Sequence, residues 1–384
     1  MFCSSRPACH AEASAKAGRR RALFAPAFAQ LRRGKQRTGY SLIAQVENVA
    51  QNRGAMLAYY LHDLNPVIFR IYDNVGPRWY GLAYVLAFVS SYLVFLWLAK
   101  RGYADLPPQK VGDFITGCAL FGVIVGGRLG YVFFYKPEML REPLSILRVW
   151  EGGMSSHGGM FGLLAFTFYY AHRHKISWTN LGDNLVVTAP IGLFFGRCAN
   201  FINGELYGRI TNVPWAMLFP KELLDHPQEA ERAIATCMHV DPSTLTPRQV
   251  QEMTEKVIAS VQTNPQITSA LRSILSPRHP SQIYEAFFEG IALFAILWFV
   301  RTRTRQPNGV LTGLFFICYA IFRIIIENFR EPDAELIGPF TRGQFFSFFL
   351  IAIGFAFIVV AKRRPTFPKH QESTSKLQRS SKFQ

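Results

Sequence analysis

The sequence predicts an all-α, polytopic integral membrane protein of seven transmembrane helices with a small helical extracytoplasmic head. Three observations carry that expectation. Apolar residues make up 49% of the 384 positions and gather into long runs, and runs near the ~20 residues that a bilayer core requires read as spanning helices. The formal charge of +17 is concentrated at both ends of the chain and between the apolar runs, as in membrane proteins whose cytoplasmic loops hold Lys and Arg. A long polar stretch between the fourth and fifth runs carries helix-start signals of its own.

The seven runs are Trp79 to Ala99, Phe114 to Tyr135, Met160 to Ala171, Leu181 to Ala199, Ile283 to Val300, Val310 to Ile326 and Phe345 to Ala361. The shorter ones fall below a full span, so their ends draw on flanking glycines and on polar residues buried in protein. Lys100, Arg101 and Lys110 follow the first run, Arg173 and Lys175 the third, Arg301, Arg303 and Arg305 the fifth, and Lys362, Arg363 and Arg364 the seventh. Setting these four basic segments in the cytoplasm leaves the amino end, the Lys136 to Trp150 loop, the Gly204 to His279 region and the Asn328 to Arg342 loop outside.

The chain therefore divides into a basic extension (1–55), an amphiphilic arm (56–78), four spans with a glycine-rich loop (79–203), the head (204–280), three spans (281–362) and a basic cytoplasmic tail (363–384). In the head, Thr246, Pro247 and Gln249 form a capping box with proline at the first helical position. Val250, Met253, Val257, Ile258 and Val261 then share one face. Asn264 and Pro265 start a second helix with Ile267, Leu271, Ile274 and Leu275 on its apolar face. The six cysteines make no C-x-x-C or similar spacing, so no metal centre or disulfide framework is expected, and no cofactor. The basic residues flank apolar runs and form no nucleic-acid patch.

The stretch Phe195 to Arg209, FGRCANFINGELYGR, sets two arginines, two asparagines and a glutamate against the end of an apolar run. Arg197 either snorkels to the interface, with Glu205 paired to Arg209, or offers its planar fork to a phosphate or carboxylate. Tyr319, Arg323, Glu327 and Arg330 form one helical stripe, and Gln282, Glu285 and Glu289 another. Such stripes cannot face lipid. They hold either a structural Arg323–Glu327 ion pair or a phosphate-facing arginine oriented by its glutamate, with Glu285 as counter-charge. A cavity lined by both signs favours an anionic headgroup over a cation path. Gly122, Gly126 and Gly130 read as a helix-packing stripe, with Arg128 among them able to cap a neighbouring helix end. His157, in the glycine-dense Gly152 to Gly162 turn, is either structural, or a base, or a residue that orients a ligand. On the residues alone, a lipid or solute transporter and a scaffold for the head stand beside an enzyme.

The segment GRCANFINGELYGR resembles the signature of bacterial prolipoprotein diacylglyceryl transferases. WEGGMSSHGG (Trp150 to Gly159), VPWAMLFP (Val213 to Pro220), RHPSQIYEA (Arg278 to Ala286) and FRIIIENFREPD (Phe322 to Asp333) match in the same order. The resemblance implies a multi-pass bacterial inner-membrane transferase whose partners are phosphatidylglycerol, as membrane lipid, and prolipoprotein signal peptides bearing a lipobox cysteine. It would move diacylglyceryl to that thiol and release glycerol phosphate. It also implies His157, Arg197, Arg323 and Tyr80 as catalytic positions. Asn200, Asn203, Glu205, Gly208, Glu285, Tyr319, Glu327 and Arg330, with Arg197, are implied as substrate-binding positions. Two features depart from the family pattern: Ser156 stands where an aromatic is usual, and the link between VPWAMLFP and RHPSQ is much longer.

Residues 1–55 hold ten basic residues against two acidic ones, and such a tail resists crossing to the outer side. Translation is therefore expected to start at Met56. Mass spectrometry of the native protein checks this: no peptide from Gly18 to Arg32 should be found.

Overall fold

The computed structural model describes residues 59–69, 76–148, 152–332 and 336–368. The basic extension, the start at Met56, Trp150, Asp333 and the end of the tail lie outside them. Every apolar run falls on a helix. In chain order these are α1 Trp79–Lys100, α2 Pro108–Phe134, α3 Ser156–His174 and α4 Trp178–Asn203. Then come α5 Pro227–Met238, α6 Pro247–Ser260 and α7 Pro265–Ile274, followed by α8 Ser281–Arg303, α9 Val310–Ile326 and α10 Arg342–Arg363. Among the described residues, five helices (α1, α2, α4, α8 and α10) are long and apolar enough to cross a membrane. Helix α9 is apolar but has 17 residues, and α3 has 19 with His157, His172, Arg173 and His174 near its ends.

Local chemistry sets the helix ends. Ser155 accepts from the Gly158 amide to cap α3, and Ser177 does the same for Asn180 in α4. Thr246 with Gln249, and Thr341 with Gln344, close reciprocal capping boxes on α6 and α10. Helix α4 stops at Gly204, whose φ of 67° is left-handed. Both α2 and α8 contain a wide π-helical stretch, over Cys118–Val125 and Ala286–Ala292.

One element departs from the all-α expectation. Tyr60–Leu61 (β1) pairs in parallel with Met217–Leu218 (β2), Tyr60 opposite Met217 and Leu61 opposite Leu218. The pairing gives the arm's backbone partners in the part of the head that precedes its helices. Two-residue strands carry no periodicity for a sequence to display.

The glycine stripe of α2 packs against α3. A Cβ on Gly126 would lie 2.7 Å from Gly162 Cα, and one on Gly130 2.4 Å from Gly158 Cα, so the two backbones meet where only glycine fits. Arg128 is buried beside this contact and donates to the carbonyls of Ser145 and Ile146 at 2.8 Å, and of Gly152 at 2.5 Å. It caps the end of the short helix Pro143–Ile146 and fixes the turn entering α3.

At the end of the bundle bearing the basic segments, a buried polar layer fixes how α4, α8 and α9 meet. Asp183 accepts from the amides of Gly309 (2.7 Å) and Thr312 (2.9 Å) and from the Thr312 hydroxyl. Arg301 donates to the Tyr103 carbonyl and to Asn184 Oδ1, and Asn180 joins Asn308 at 3.0 Å. These contacts run sequence-neighbouring helices in opposite directions, so the start of α1, the end of α4, the start of α8 and the end of α9 share the other end. Helices α5 to α7 pack around Ala233, Val257, Ile267 and Leu271, in one cluster with Leu61 and Leu218 of the strand pair.

Gly158→Ala should destabilise the purified protein by about 1–3 kcal/mol, because its Cβ would sit 2.5 Å from the Gly126 carbonyl oxygen. Gly159→Ala should be close to neutral, since the nearest atom there is 3.7 Å away. Thermal unfolding of both variants in the same detergent is the measurement.

Candidate active site

Glu285, one turn into α8, is fully buried and gathers three arginines, from α4, from α9 and from the segment after α9. Its Oε1 accepts from Arg323 at 2.7 Å and from Arg330 at 2.8 Å, and its Oε2 lies 3.3 Å from Arg197. Glu289, one turn further along α8, accepts from Arg197 Nε and Nη2 at 3.3 and 3.0 Å. Arg323 also pairs with Glu327 at 3.2 Å across one turn of α9. Glu327 abuts the first turn of α10, with one oxygen 2.8 Å from where a Cβ on Gly343 would stand; the partial positive charge of a helix start suits a carboxylate there. Isolated ions so far from water would be costly, and their mutual pairing is what lets apolar helices carry them.

The sequence candidates divide by place. Arg197, Glu285, Arg323, Glu327 and Arg330 form the cluster itself. Tyr319 is within electrostatic reach of Arg197, Arg323, Glu285 and Glu289, and Tyr80 of Arg197 and Glu205. Asn200 and Asn203 close α4 beside the cluster, and each has a buried Oδ1 without a hydrogen-bond partner. Gln282 donates to the Glu205 carbonyl at 2.7 Å, and its own Oε1 is buried and unpartnered. His157 is exposed in the first turn of α3 and takes no part in these ion pairs.

The geometry bears on three of these positions. Arg197 does not snorkel: its side chain is 16% exposed and bridges two buried glutamates. Glu205 does not pair with Arg209; its Oε1 faces Asn203 at 3.5 Å, while Arg209 donates to the Arg330 carbonyl at 3.0 Å. Gly208 approaches the chain's own backbone, where a Cβ would lie 2.4 Å from the Phe329 carbonyl oxygen and 2.7 Å from His279 Cβ. Glu289 and Gln282 stood in a stripe but outside the candidate set. Their helical spacing from Glu285 was the signal that could have added them.

Next to the cluster, and unforeseen, lies a hub around Arg278, which is 2% exposed. It pairs with Glu222, donates to His226 Nε2 at 2.6 Å and to the Gly208 carbonyl at 3.3 Å, reaches Glu331 at 3.2 Å, and stacks on Tyr207. Burial pushes the Glu222 carboxyl up, against the pull of Arg278 and the Ser276 amide. The hub joins the base of the head to the start of α8 and to the segment after α9. On the arm, His62 donates from Nε2 to the Phe201 carbonyl at 2.6 Å and stacks on Phe219, tying the arm to the last turn of α4.

Fold and site together define a polytopic helical membrane protein with a charge-paired cluster buried at one end of its bundle. The family model described as prolipoprotein diacylglyceryl transferase matches residues 66–360. Similar curated proteins include the phosphatidylglycerol–prolipoprotein diacylglyceryl transferases of Bdellovibrio bacteriovorus, Geobacter sulfurreducens and Escherichia fergusonii. The first is 39% identical over 334 residues, covering 79% of this chain and 94% of the relative. The second is 38% identical over 309 residues (79% and 98%), and the third 39% over 322 residues (80% and 98%). The chain belongs to the prolipoprotein diacylglyceryl transferase family.

Burial lowers the pKa of His62 from its ordinary 6.5; the Phe201 carbonyl and Asp63 oppose the shift and Lys221 adds to it. Below the unfolded value the unfolded chain binds the proton more readily, so stability should fall as pH drops through 6.5. Thermal unfolding at pH 7 and pH 5 should therefore show acid sensitivity, and His62→Gln should reduce it.

Proposed function

We propose that this protein transfers the diacylglyceryl group of phosphatidylglycerol to the thiol of a lipobox cysteine in secreted prolipoproteins, forming a thioether and releasing glycerol phosphate. The observation that carries the reading is the meeting of Arg197 and Arg323, from two helices, on buried Glu285 and Glu289, in a chain whose relatives bear the name of that transferase. Guanidinium forks in a dry site stabilise the charge that grows on a departing phosphate. The buried acceptor oxygens of Asn200, Asn203 and Gln282 suit the hydroxyl donors of a glycerol headgroup.

In this reading all seven runs cross the inner membrane. The amino end and head lie outside, and the carboxyl end is cytoplasmic. Arg197 and Arg323 hold the phosphate, Glu285, Glu327 and Arg330 orient them, and Tyr80, Tyr319, Asn200, Asn203 and Glu205 line the headgroup site. Gly208 lets the outer loops close tightly against the end of α9. His157 contributes from the start of α3 by orienting the thiol peptide. Lipid arrives from the bilayer and the peptide from the outer surface. Purified protein given labelled phosphatidylglycerol and a lipobox peptide should yield a thioether and glycerol phosphate; unchanged lipid would remove the proposal.

Arg197→Lys should lower turnover by a factor of about 100 to 1,000, since a point charge cannot reproduce a fork held by two carboxylates. Losing a partner in a buried ion pair can itself cost about 3–5 kcal/mol, so protein level and unfolding temperature are measured alongside. A folded variant with near-normal transfer would sink the assignment.

A further inference from the structure

The buried cluster sets Arg197, Arg323 and Arg330 against the carboxylates of Glu285, Glu289 and Glu327. A phosphodiester brings one more negative charge. Cleaving its carbon–oxygen bond adds another to the phosphate monoester that departs. The attacking sulfur, meanwhile, must lose a proton. In a dry site these demands are linked: a carboxylate that takes the thiol proton cancels one unit of the charge that the lipid adds.

We propose that Glu289 is that proton carrier. The inference rests on the transferase reading and goes beyond it by naming the group that accepts the proton. Glu285 has Oε1 committed to two arginines and Oε2 3.3 Å from a third. Glu327 Oε2 stands 3.2 Å from Arg323. Each of the three has one buried oxygen without a hydrogen bond, Oε2 in Glu285 and Glu327 and Oε1 in Glu289. Those of Glu285 and Glu327 stand 3.3 and 3.2 Å from an arginine nitrogen, whereas Glu289 Oε1 is 3.6 Å from Arg323 Nη1, its Oε2 being the one held by Arg197. The groups facing it are Arg197 from α4, Arg323 and Tyr319 from α9, and Glu285 on its own helix. Glu289 thus spans the two arginines that would hold the phosphate and keeps one oxygen without a hydrogen bond, so a proton taken there displaces no hydrogen bond already made. The wide turn Ala286–Ala292 carries this residue, and such turns are frequent at functional sites.

The step balances. The sulfur's proton passes to Glu289 Oε1, and the sulfur's electron pair forms the bond to the terminal glyceryl carbon. The bond from that carbon to the phosphate oxygen breaks, leaving its pair on oxygen. Glu289 then gives the proton to the phosphate, glycerol phosphate departs, and Glu289 is again a carboxylate.

The test is single-turnover thioether formation by the full chain at saturating phosphatidylglycerol, with a cysteine lipobox peptide and with its selenocysteine counterpart, whose selenol is already ionised at neutral pH. Glu289→Gln, which keeps the shape and removes the basicity, should slow the cysteine peptide by about 100-fold or more. The KM for lipid should be unchanged or lower, because an anion has been removed. The selenol peptide should recover most of the lost rate. Glu289→Asp, read the same way, carries the test if the Gln variant does not fold. Equal slowing of both peptides, a loss confined to KM, or selenol recovery in His157→Ala but not in Glu289→Gln would overturn the proposal. Wild-type transfer in the same assay keeps the transferase reading separate, since that reading fails only if wild type makes no thioether.

Discussion

The carboxylate of Glu285 is the constraint on which the rest of the site depends. It is fully buried, and three guanidiniums from α4, α9 and the segment after α9 converge on it. Remove that anion and three cations stand at the ends of apolar helices with too few partners. Remove any one arginine and a buried carboxylate is short of a counter-charge. Each loss is far more expensive than a missed surface pair. The relative rotation of α4, α8 and α9 about their axes is therefore set by electrostatics at this end and by the Asp183 and Arg301 layer at the other. Apolar packing between them needs only to fill space, which leucine and phenylalanine do without specifying a single register.

Ion pairing also explains how a membrane bundle can keep charged groups ready for an anion. Three unpaired arginines would attract any phosphate in the headgroup region and would resist insertion. Paired to glutamates they cost less, and the fork geometry is already fixed before a ligand arrives. The consequence is competition: a phosphate that engages Arg197 or Arg323 must share nitrogens with carboxylates, so the charge state of those carboxylates governs how firmly it is held.

Much of this was legible in the sequence, for physical reasons that differ between elements. The apolar runs are long, and a long run has few alternatives to a helix, so each of the seven lies on one. The capping box at Thr246 and the glycine stripe of α2 were readable because their partners lie within a few residues or need no side chain. Stripes such as Tyr319, Arg323, Glu327 announce that a face is not lipid-exposed but not what it meets. The partners of Arg197 lie about ninety positions away, on α8, and periodicity carries no information over that distance. The same limit hid Asp183 with Thr312 and Arg278 with Glu222. Asp183 falls inside a run that reads as apolar, and Arg278 in a loop, where a single charge looks like a solvated one.

Gly208 shows how a residue in a signature can owe its identity to the fold. A motif containing glycine invites the reading that backbone and ligand come close. Here the space that a Cβ would fill belongs to Phe329 and His279. Gly208 bridges to Arg330, the same residue whose guanidinium reaches Glu285, and its carbonyl accepts from Arg278. The glycine thus lets three separate segments, after α4, before α8 and after α9, close on one another at the mouth of the cluster. A side chain at this position would push Arg330 and its segment away from the carboxylate it pairs with, so chemistry centred on Glu285 depends on a hydrogen atom where every other residue has a carbon.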